Sequence, residues 1–189
     1  IDVDSIYEVP LNYHAVGLDR QVLKKFNLDF TGSLDVSQWE QIKRDVKGPD
    51  GEVHIAVVGK YTGLRDAYIS LSEALTHGGF TNNVRVETRW IDSEVFETAG
   101  SIYKLEDVHG ILVPGGFGER GAAGKVAAVT FAREHRVPYF GICFGMQLAV
   151  VEAARSLAGI PGASSSEFGP CDDPIIGLLS EWMHEGNIE

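Results

Sequence analysis

Apolar runs of strand length alternate with helical segments after residue 51, and this alternation limits the chain to few folds. The run Val53–Gly59 is rich in branched residues, which is typical of a strand buried on both faces of a parallel sheet. Strands that alternate with helices join through right-handed crossovers into a mostly parallel sheet. We therefore predict an α/β fold in which helices flank a mostly parallel central sheet, with ligands at the carboxyl ends of the strands. The predicted strands are 53–59, 84–91, 110–113 and 137–141, and the predicted helices are 66–77, 122–135 and 144–158.

Residues 1–47 follow another pattern and predict a separate segment. The sequence Lys-Gly-Pro-Asp-Gly at 47–51 is a strong break between periodic regions. We place a domain boundary between residues 27 and 51 and predict two domains, 1–47 and 48–189. Within the first, the pattern predicts an extended stretch at 5–10 that a proline ends, a helix at 14–26, a linker at 27–37 and a short helix at 39–46.

The charge and cysteine content of the chain exclude several classes of function. A formal net charge of -11 disfavours non-specific binding to nucleic acid or to anionic membranes. No apolar run reaches the ~18 residues that span a bilayer, and no signal peptide is visible. The two cysteines, Cys143 and Cys171, show no disulfide framework, which favours a reducing cytoplasm. Because the chain begins at Ile1 within a patterned segment, we expect it to be part of a longer protein.

The sequence Gly141-Ile142-Cys143-Phe144-Gly145 stands between a predicted strand and a predicted helix. A nucleophile elbow has this form, because side chains at the flanking positions would collide with the neighbouring backbone of the tight turn. The helix dipole at this position would also favour the thiolate of Cys143 over the thiol. Free cysteines are often simply buried, but the flanking glycines at a strand–helix junction favour a nucleophile.

A second glycine-rich turn, Pro114–Gly118, follows the third predicted strand. Acyl-transfer chemistry needs N–H donors for the oxyanion of the tetrahedral intermediate. A Gly-Gly pair presents bare backbone N–H groups, and the N–H of Phe144 would be the second donor. By itself the turn could equally be a flexible connection before a helix. Beside the elbow, the oxyanion role becomes the favoured interpretation.

Together, the two glycine-rich turns resemble those of the class I (triad-type) glutamine amidotransferases. The matching residues are Pro-Gly-Gly-Phe-Gly at 114–118 and Gly-Ile-Cys-Phe-Gly-Met-Gln at 141–147. More narrowly, the chain resembles the CTP synthase family over nearly its whole length. The further matching segments are 2–7, similar to the end of that family's synthetase domain, 59–68, similar to the start of its amidotransferase domain, and 164–168, similar to a substrate-contacting segment. The resemblance implies an α/β fold with flavodoxin-like layers.

The resemblance also implies roles for individual residues. Cys143 would form a glutamyl thioester, with Gly116 and Phe144 as oxyanion donors and Gly116 also in contact with the substrate. Gln147 and Glu167 match positions that hold the α-amino and α-carboxylate ends of glutamine. A carboxylate at Glu167 is physically sensible because a buried ammonium group needs a paired anion. Without the resemblance, the same residue would be taken for a solvated loop charge.

For the whole protein, the resemblance implies a ligase of pyrimidine nucleotide biosynthesis that aminates UTP to CTP. ATP and Mg²⁺ would bind in the synthetase domain, whose C-terminal tail and linker would be residues 1–47. The amidotransferase domain itself would need no cofactor or metal. The family assembles as homotetramers. Arg120 matches a family arginine tied to allosteric activation by GTP, although by itself it would be a surface charge near a helix start.

The chain departs from the family in its histidines. The family's Cys-His-Glu triad takes its last two members from a downstream His-x-Glu segment, which this sequence lacks. We predict that His184 and Glu185 lie in a helix end and loop rather than forming the general base. We therefore expect the chain to be incomplete at its C-terminus. We also expect it to bind glutamine poorly and to turn it over hardly at all, since loss of a triad member can cost roughly 10⁴-fold. Of the other histidines, we predict that His54 and His109 begin strands and that His77 and His135 end helices.

Two other classes of function stay open. A different cysteine enzyme on a related fold, such as a peptidase, or a chaperone-like protein could share the elbow, but neither would need Glu167 or the Pro114–Gly118 turn in this form. Alternatively, a chain without its base could be a non-catalytic module that docks to a partner and gates it. Labelling of Cys143 by a glutamine analogue tests the first alternative, and the sequence after Glu189 tests the second.

Overall fold

The computed structural model describes residues 2–29, 31–60, 62–177, 183–184 and 187–188. The chain divides into two compact units. The first comprises Ile1–Glu52 and Glu73–Arg85, and the second comprises Val53–Ser72 and Val86–Glu189.

The first unit is helical, and it differs from the prediction at two places. The stretch 5–10 is not extended, because Ser5 caps a 3₁₀ helix and Pro10 lies at the start of the next helix, where its missing N–H breaks no hydrogen bond. The predicted helix 14–26 is two helices, separated at Gly17, whose φ of 78° is left-handed. The elements are a 3₁₀ helix at Ile6–Glu8, α1 at Val9–Ala15, α2 at Leu18–Lys25 and α3 at Ser37–Lys47.

A four-stranded sheet organises the second unit, and its order is β2-β1-β3-β4. The strands are β1 at Gly51–Gly59, β2 at Val84–Asp92, β3 at Gly110–Val113 and β4 at Tyr139–Gly141. β1 pairs in parallel with β3, and β3 pairs in parallel with β4, with Val113 opposite Gly141. This order is that of flavodoxin-like sheets. The predicted α/β class with a mostly parallel central sheet is confirmed.

Helices cover the sheet and close the core. Two of them match the predicted segments closely: α5 at Ala122–His135 and α6 at Phe144–Ser156. Buried side chains from β1, β3 and α5 form the main apolar cluster, which includes Val58, Val113, Ala128 and Phe131. A second cluster of Ala122, Phe144 and Leu148 packs α5 against α6.

The predicted helix 66–77 begins and ends later than expected. A 3₁₀ helix at Arg65–Tyr68 precedes α4 at Ile69–Thr81, and α4 continues through Gly78 and Gly79. The helix ends where Asn83 adopts a left-handed φ of 52° and the Asn82 side chain donates to the Gly78 carbonyl at 2.8 Å. Glycine is thus tolerated within this helix, and asparagine provides the stop.

Several short elements carry no clear sequence signal. They are 3₁₀ helices at Ser93–Glu97, Ser101–Leu105 and Ser166–Phe168, and the strands β5 at Ala163–Ser165, β6 at Asp173–Ile176, β7 at Met183–His184 and β8 at Asn187–Ile188. β7 and β8 pair in an antiparallel manner, so the prediction of a helix end around His184 is wrong. Glu185, and Tyr61 of the 59–68 segment, lie outside the described residues. Among the described helices, none combines the length and the apolar character that a membrane crossing requires.

Candidate active site

The carboxyl ends of three parallel strands meet at one edge of the sheet. Lys60 follows β1, the turn Pro114–Gly118 follows β3, and Cys143 follows β4. Parallel strands end on the same edge, so segments far apart in the sequence become neighbours there.

Cys143 occupies the strained turn that the glycine pattern predicts. Its backbone has φ 53° and ψ −111°, a conformation that L-residues rarely adopt, and its side chain is exposed. A methyl group at Gly141 would lie 2.5 Å from the carbonyl carbon of Gly145, and one at Gly145 would lie 2.9 Å from the carbonyl carbon of Val113. Both glycines are therefore required by close backbone approach, and the alternative of a structural, buried cysteine does not hold.

The first glycine of the Pro114–Gly118 turn lies beside the sulfur. A Cβ built on Gly115 would lie 3.5 Å from the Cβ of Cys143 and 4.0 Å from its Sγ. Gly116 follows with a φ of 121°, a conformation that favours glycine. The backbone of the turn therefore approaches Cys143 without an intervening side chain.

Two buried lysines hold the carbonyl groups of this turn. Lys60 Nζ donates to the carbonyl oxygens of Phe117 at 2.9 Å and of Gly118 at 2.8 Å, and Lys125 Nζ donates to that of Gly116 at 3.2 Å. Burial lowers the pKa of both ammonium groups. For Lys125 the pKa falls to about 8, with further lowering by Lys60 and an opposing effect of Cys143.

Sequence reasoning missed Lys125, although a signal for it exists. Lys125 stands three residues after Ala122 and three and four before Ala128 and Val129, all buried, so it lies on the apolar stripe of α5. A lysine at such a position is unusual enough to mark a special role.

The other predicted site residues fall at different distances from the elbow. Glu167 reaches the glycine-rich turn, since its Oε1 accepts the backbone N–H of Gly118 at 3.0 Å. Phe144 is fully buried and its ring contacts Phe117, with centroids 5.3 Å apart. Gln147 lies half-buried in the first turns of α6.

Arg120 stands beyond the turn, just before α5, and is exposed to about half of its surface. Its Nε lies 2.9 Å from Glu94 Oε1, and the exposed fractions of the two side chains are 53% and 41%. The Arg120 charge also contributes to the lowered pKa of Lys60. Arg120 thus lies within electrostatic reach of the turn.

The histidines whose side chains the structure describes have partners away from the elbow. His54 and His109 stack on each other near the amino ends of β1 and β3, with His54 inside β1 rather than at its start. His135 ends α5 as predicted and stacks on Phe131. The others are His14, which pairs with Asp19, and His77, which lies within α4 rather than at its end and contacts Tyr7. In the part of the chain that the structure describes, no cluster of three or more His, Cys, Asp or Glu could hold a metal ion.

Comparison with curated proteins shows close relatives along the whole chain. CTP synthases of Granulibacter bethesdensis and Acidiphilium cryptum are 60% and 61% identical to it over 189 residues, which is 100% of this chain and 35% of each relative. The CTP synthase of Rhodospirillum centenum is 60% identical over the same span. The chain thus spans about a third of the length of these curated relatives.

The fold is similar to that of a solved glutaminase domain. The structure of the Trypanosoma brucei CTPS glutaminase domain with bound acivicin matches with a TM-score of 0.63 and 38% identity. The match covers 68% of this chain and 50% of that one. The family model for "Glutamine amidotransferase class-I" matches residues 64–187, which contain both glycine-rich turns. The chain therefore belongs to the class I glutamine amidotransferases.

Proposed function

We propose that this chain provides the glutamine-hydrolysing part of a CTP synthase, with Cys143 as the nucleophile. The observation that carries the proposal is the exposed, strained Cys143 beside the bare backbone of Gly115. The solved relative with acivicin, a glutamine analogue, supports glutamine as the substrate. The relatives named CTP synthase support the proposal that the released ammonia is used to form CTP.

The reaction begins with attack of the Cys143 thiolate on the amide carbon of glutamine. The carbonyl π electrons move to oxygen, and the N–H groups of Gly116 and Phe144 stabilise the resulting oxyanion. Phe144 is the first residue of α6, so its N–H has no partner within the helix. Collapse of the intermediate, with transfer of a proton from water to the leaving nitrogen, releases ammonia and leaves a glutamyl thioester. The hydroxide then hydrolyses the thioester, which yields glutamate and regenerates the Cys143 thiolate.

Glu167 and Gln147 are proposed to hold the amino-acid end of the substrate. Glu167 is already fixed against the turn through the Gly118 N–H at 3.0 Å, so its carboxylate needs little ordering on binding. Its charge would pair with the α-ammonium group of glutamine. Gln147, on α6 one helical turn after Cys143, would contact the same end of the substrate.

Arg120 is proposed to take part in activation by GTP. A guanidinium group suits phosphate or purine carbonyl recognition because its donors form a planar fork. The ion pair with Glu94 orients the side chain near the glycine-rich turn. The competing interpretation of a plain surface charge predicts that its removal leaves the response to GTP unchanged.

For the whole protein, we propose amination of UTP to CTP in the cytoplasm by a homotetramer. ATP, UTP and Mg²⁺ would bind in the synthetase domain, in the two thirds of the relatives' length that this chain does not span. Residues 1–47 would be the C-terminal tail and linker of that domain, and residues 48–189 the amidotransferase part. Cys143 and Cys171 are both free, which is in keeping with a reducing compartment.

Replacement of each cysteine in turn tests this proposal. In the intact protein, Cys143→Ser should lower glutamine-dependent ammonia release by roughly 10⁴-fold or more, while ammonia-dependent CTP formation persists. Cys171→Ser, the matched control, should stay within about twofold of wild type. Glutaminase activity that survives Cys143→Ser would exclude the mechanism, and the 189-residue chain alone should turn over glutamine hardly at all.

A further inference from the structure

Lys125 is a fully buried lysine to which the reaction above gives no role. It lies in the first turn of α5 and has no exposed surface. Burial of an ammonium group is unfavourable, and an apolar side chain of similar length would avoid this cost. We therefore look for the reason that a charged side chain is buried here in the neighbouring active site.

Both contacts of the ammonium group involve the residues that supply the oxyanion donors. Lys125 Nζ donates to the carbonyl oxygen of Gly116 at 3.2 Å and lies 5.4 Å from the centroid of the Phe144 ring. The hydrogen bond fixes the peptide that joins Gly116 to Phe117, and this peptide directly follows the Gly116 N–H that is the proposed oxyanion donor. Lys60 donates to the carbonyls of Phe117 and Gly118, so lysine ammonium groups hold three successive carbonyls of the turn.

We propose that Lys125 is a positioning residue of the glutaminase site. Its ammonium group fixes the peptide that joins Gly116 to Phe117 and places a positive charge beside the turn that adjoins Cys143, where it stabilises first the thiolate and then the oxyanion. No bond to Lys125 forms or breaks in this role. The inference rests on the proposed function of Cys143 as the nucleophile.

The role has a defined pH range. Burial lowers the pKa of Lys125 to about 8, so the group carries its charge at pH 7 and is neutral at pH 10. The titratable groups that act on it are Lys60, which follows β1, and Cys143 at the elbow. At pH 10 the lysine itself carries no charge, so its removal should matter only at the lower pH.

The test compares alkylation of Cys143 by iodoacetamide at pH 7 and pH 10, in the intact protein with Cys171 replaced by serine. The variants are Lys125→Met, which removes the charge and the donor, and Lys125→Gln, which keeps a donor without the charge. Lys104→Met, on the 3₁₀ helix Ser101–Leu105, is the matched control. We expect both Lys125 variants to react about tenfold more slowly at pH 7 and within about twofold of wild type at pH 10. We expect the control to match wild type at both pH values.

Two results would overturn the proposal. Rates at pH 7 within twofold of wild type would show that the charge does not act on the sulfur. Equal losses at pH 7 and pH 10 would show that Lys125 only supports the local structure; if Lys125→Met does not fold, Lys125→Gln decides between these outcomes. Failure of the proposed function looks different, since wild-type Cys143 would then resist a glutamine-derived chloroketone while its reaction with iodoacetamide still depended on Lys125.

Discussion

Replacement of Gly145 by alanine should strongly destabilise the second unit. The new Cβ would lie 2.9 Å from the carbonyl carbon of Val113 and 3.0 Å from its Cγ1, and closer still to its carbonyl oxygen. Real Cβ atoms do not approach backbone so closely, so either β3 or α6 must move. Val113 is fully buried and paired with Gly141, and neither segment can shift without disturbing the core.

Overpacking of this kind costs about 1–3 kcal/mol when side chains can adjust, and more when the obstacle is backbone. We expect a loss of about 3 kcal/mol or more in the free energy of unfolding, which corresponds to a fall of roughly 6–12 °C in Tm for a chain of this size. Differential scanning calorimetry measures the change. Gly63→Ala is the control in the same unit, because a Cβ there has nothing within 4 Å, and it should leave Tm unchanged or slightly raised. A Gly145→Ala protein that melts within 2 °C of wild type would refute the reasoning about the elbow.

Three further predictions concern charges in the second unit. Burial lowers the pKa of Lys125 from 10.5 to about 8, so at pH 7 the folded protein carries an ammonium ion that is more stable in the unfolded chain. Lys125→Met should therefore raise stability at pH 7 by up to about 3 kcal/mol, and the gain should vanish between pH 8 and pH 10.5, as urea titrations would show. Glu152 is buried and accepts hydrogen bonds from Arg133 at 2.9 Å and from Ser156 at 2.8 Å. Glu152→Ala should lower the free energy of unfolding by about 3 kcal/mol in the same titrations, because it removes the buried carboxylate that pairs with Arg133. Glu134→Ala, at an exposed position, should lower it hardly at all. Glu167→Gln should weaken glutamine binding about tenfold or more in KM because it removes the charge opposite the α-ammonium group, and an unchanged KM would assign the carboxylate to turn structure alone.

The sheet and the elbow were predictable because their signals are local. Strands buried on both faces must be apolar throughout, and a nucleophile on a tight strand–helix turn needs glycine at 141 and 145. The two turns could be placed together because parallel strands end on one edge. None of these inferences needs knowledge of the side chains that surround the site.

The remaining features depend on tertiary contacts or on competing local signals. Pro10 marks a helix start rather than a stop, and Gly78 and Gly79 remain inside α4, because tertiary context decides what a proline or glycine does. The burial of Lys125 follows from the packing of α5 against α6, which the spacing of the sequence only hints at. The contact between Glu167 and Gly118 joins residues that are 49 positions apart in the sequence, and no local pattern predicts it.

The central claim is that the sulfur at the elbow accepts the γ-glutamyl group, and covalent labelling measures this most directly. The intact protein is treated with a chloroketone derived from glutamine, with and without excess L-glutamine, and the modified peptide is mapped by mass spectrometry. We predict a single adduct on Cys143 that glutamine prevents, with Cys171 unmodified. An adduct on Cys171, or labelling of Cys143 that glutamine does not reduce, would contradict the account.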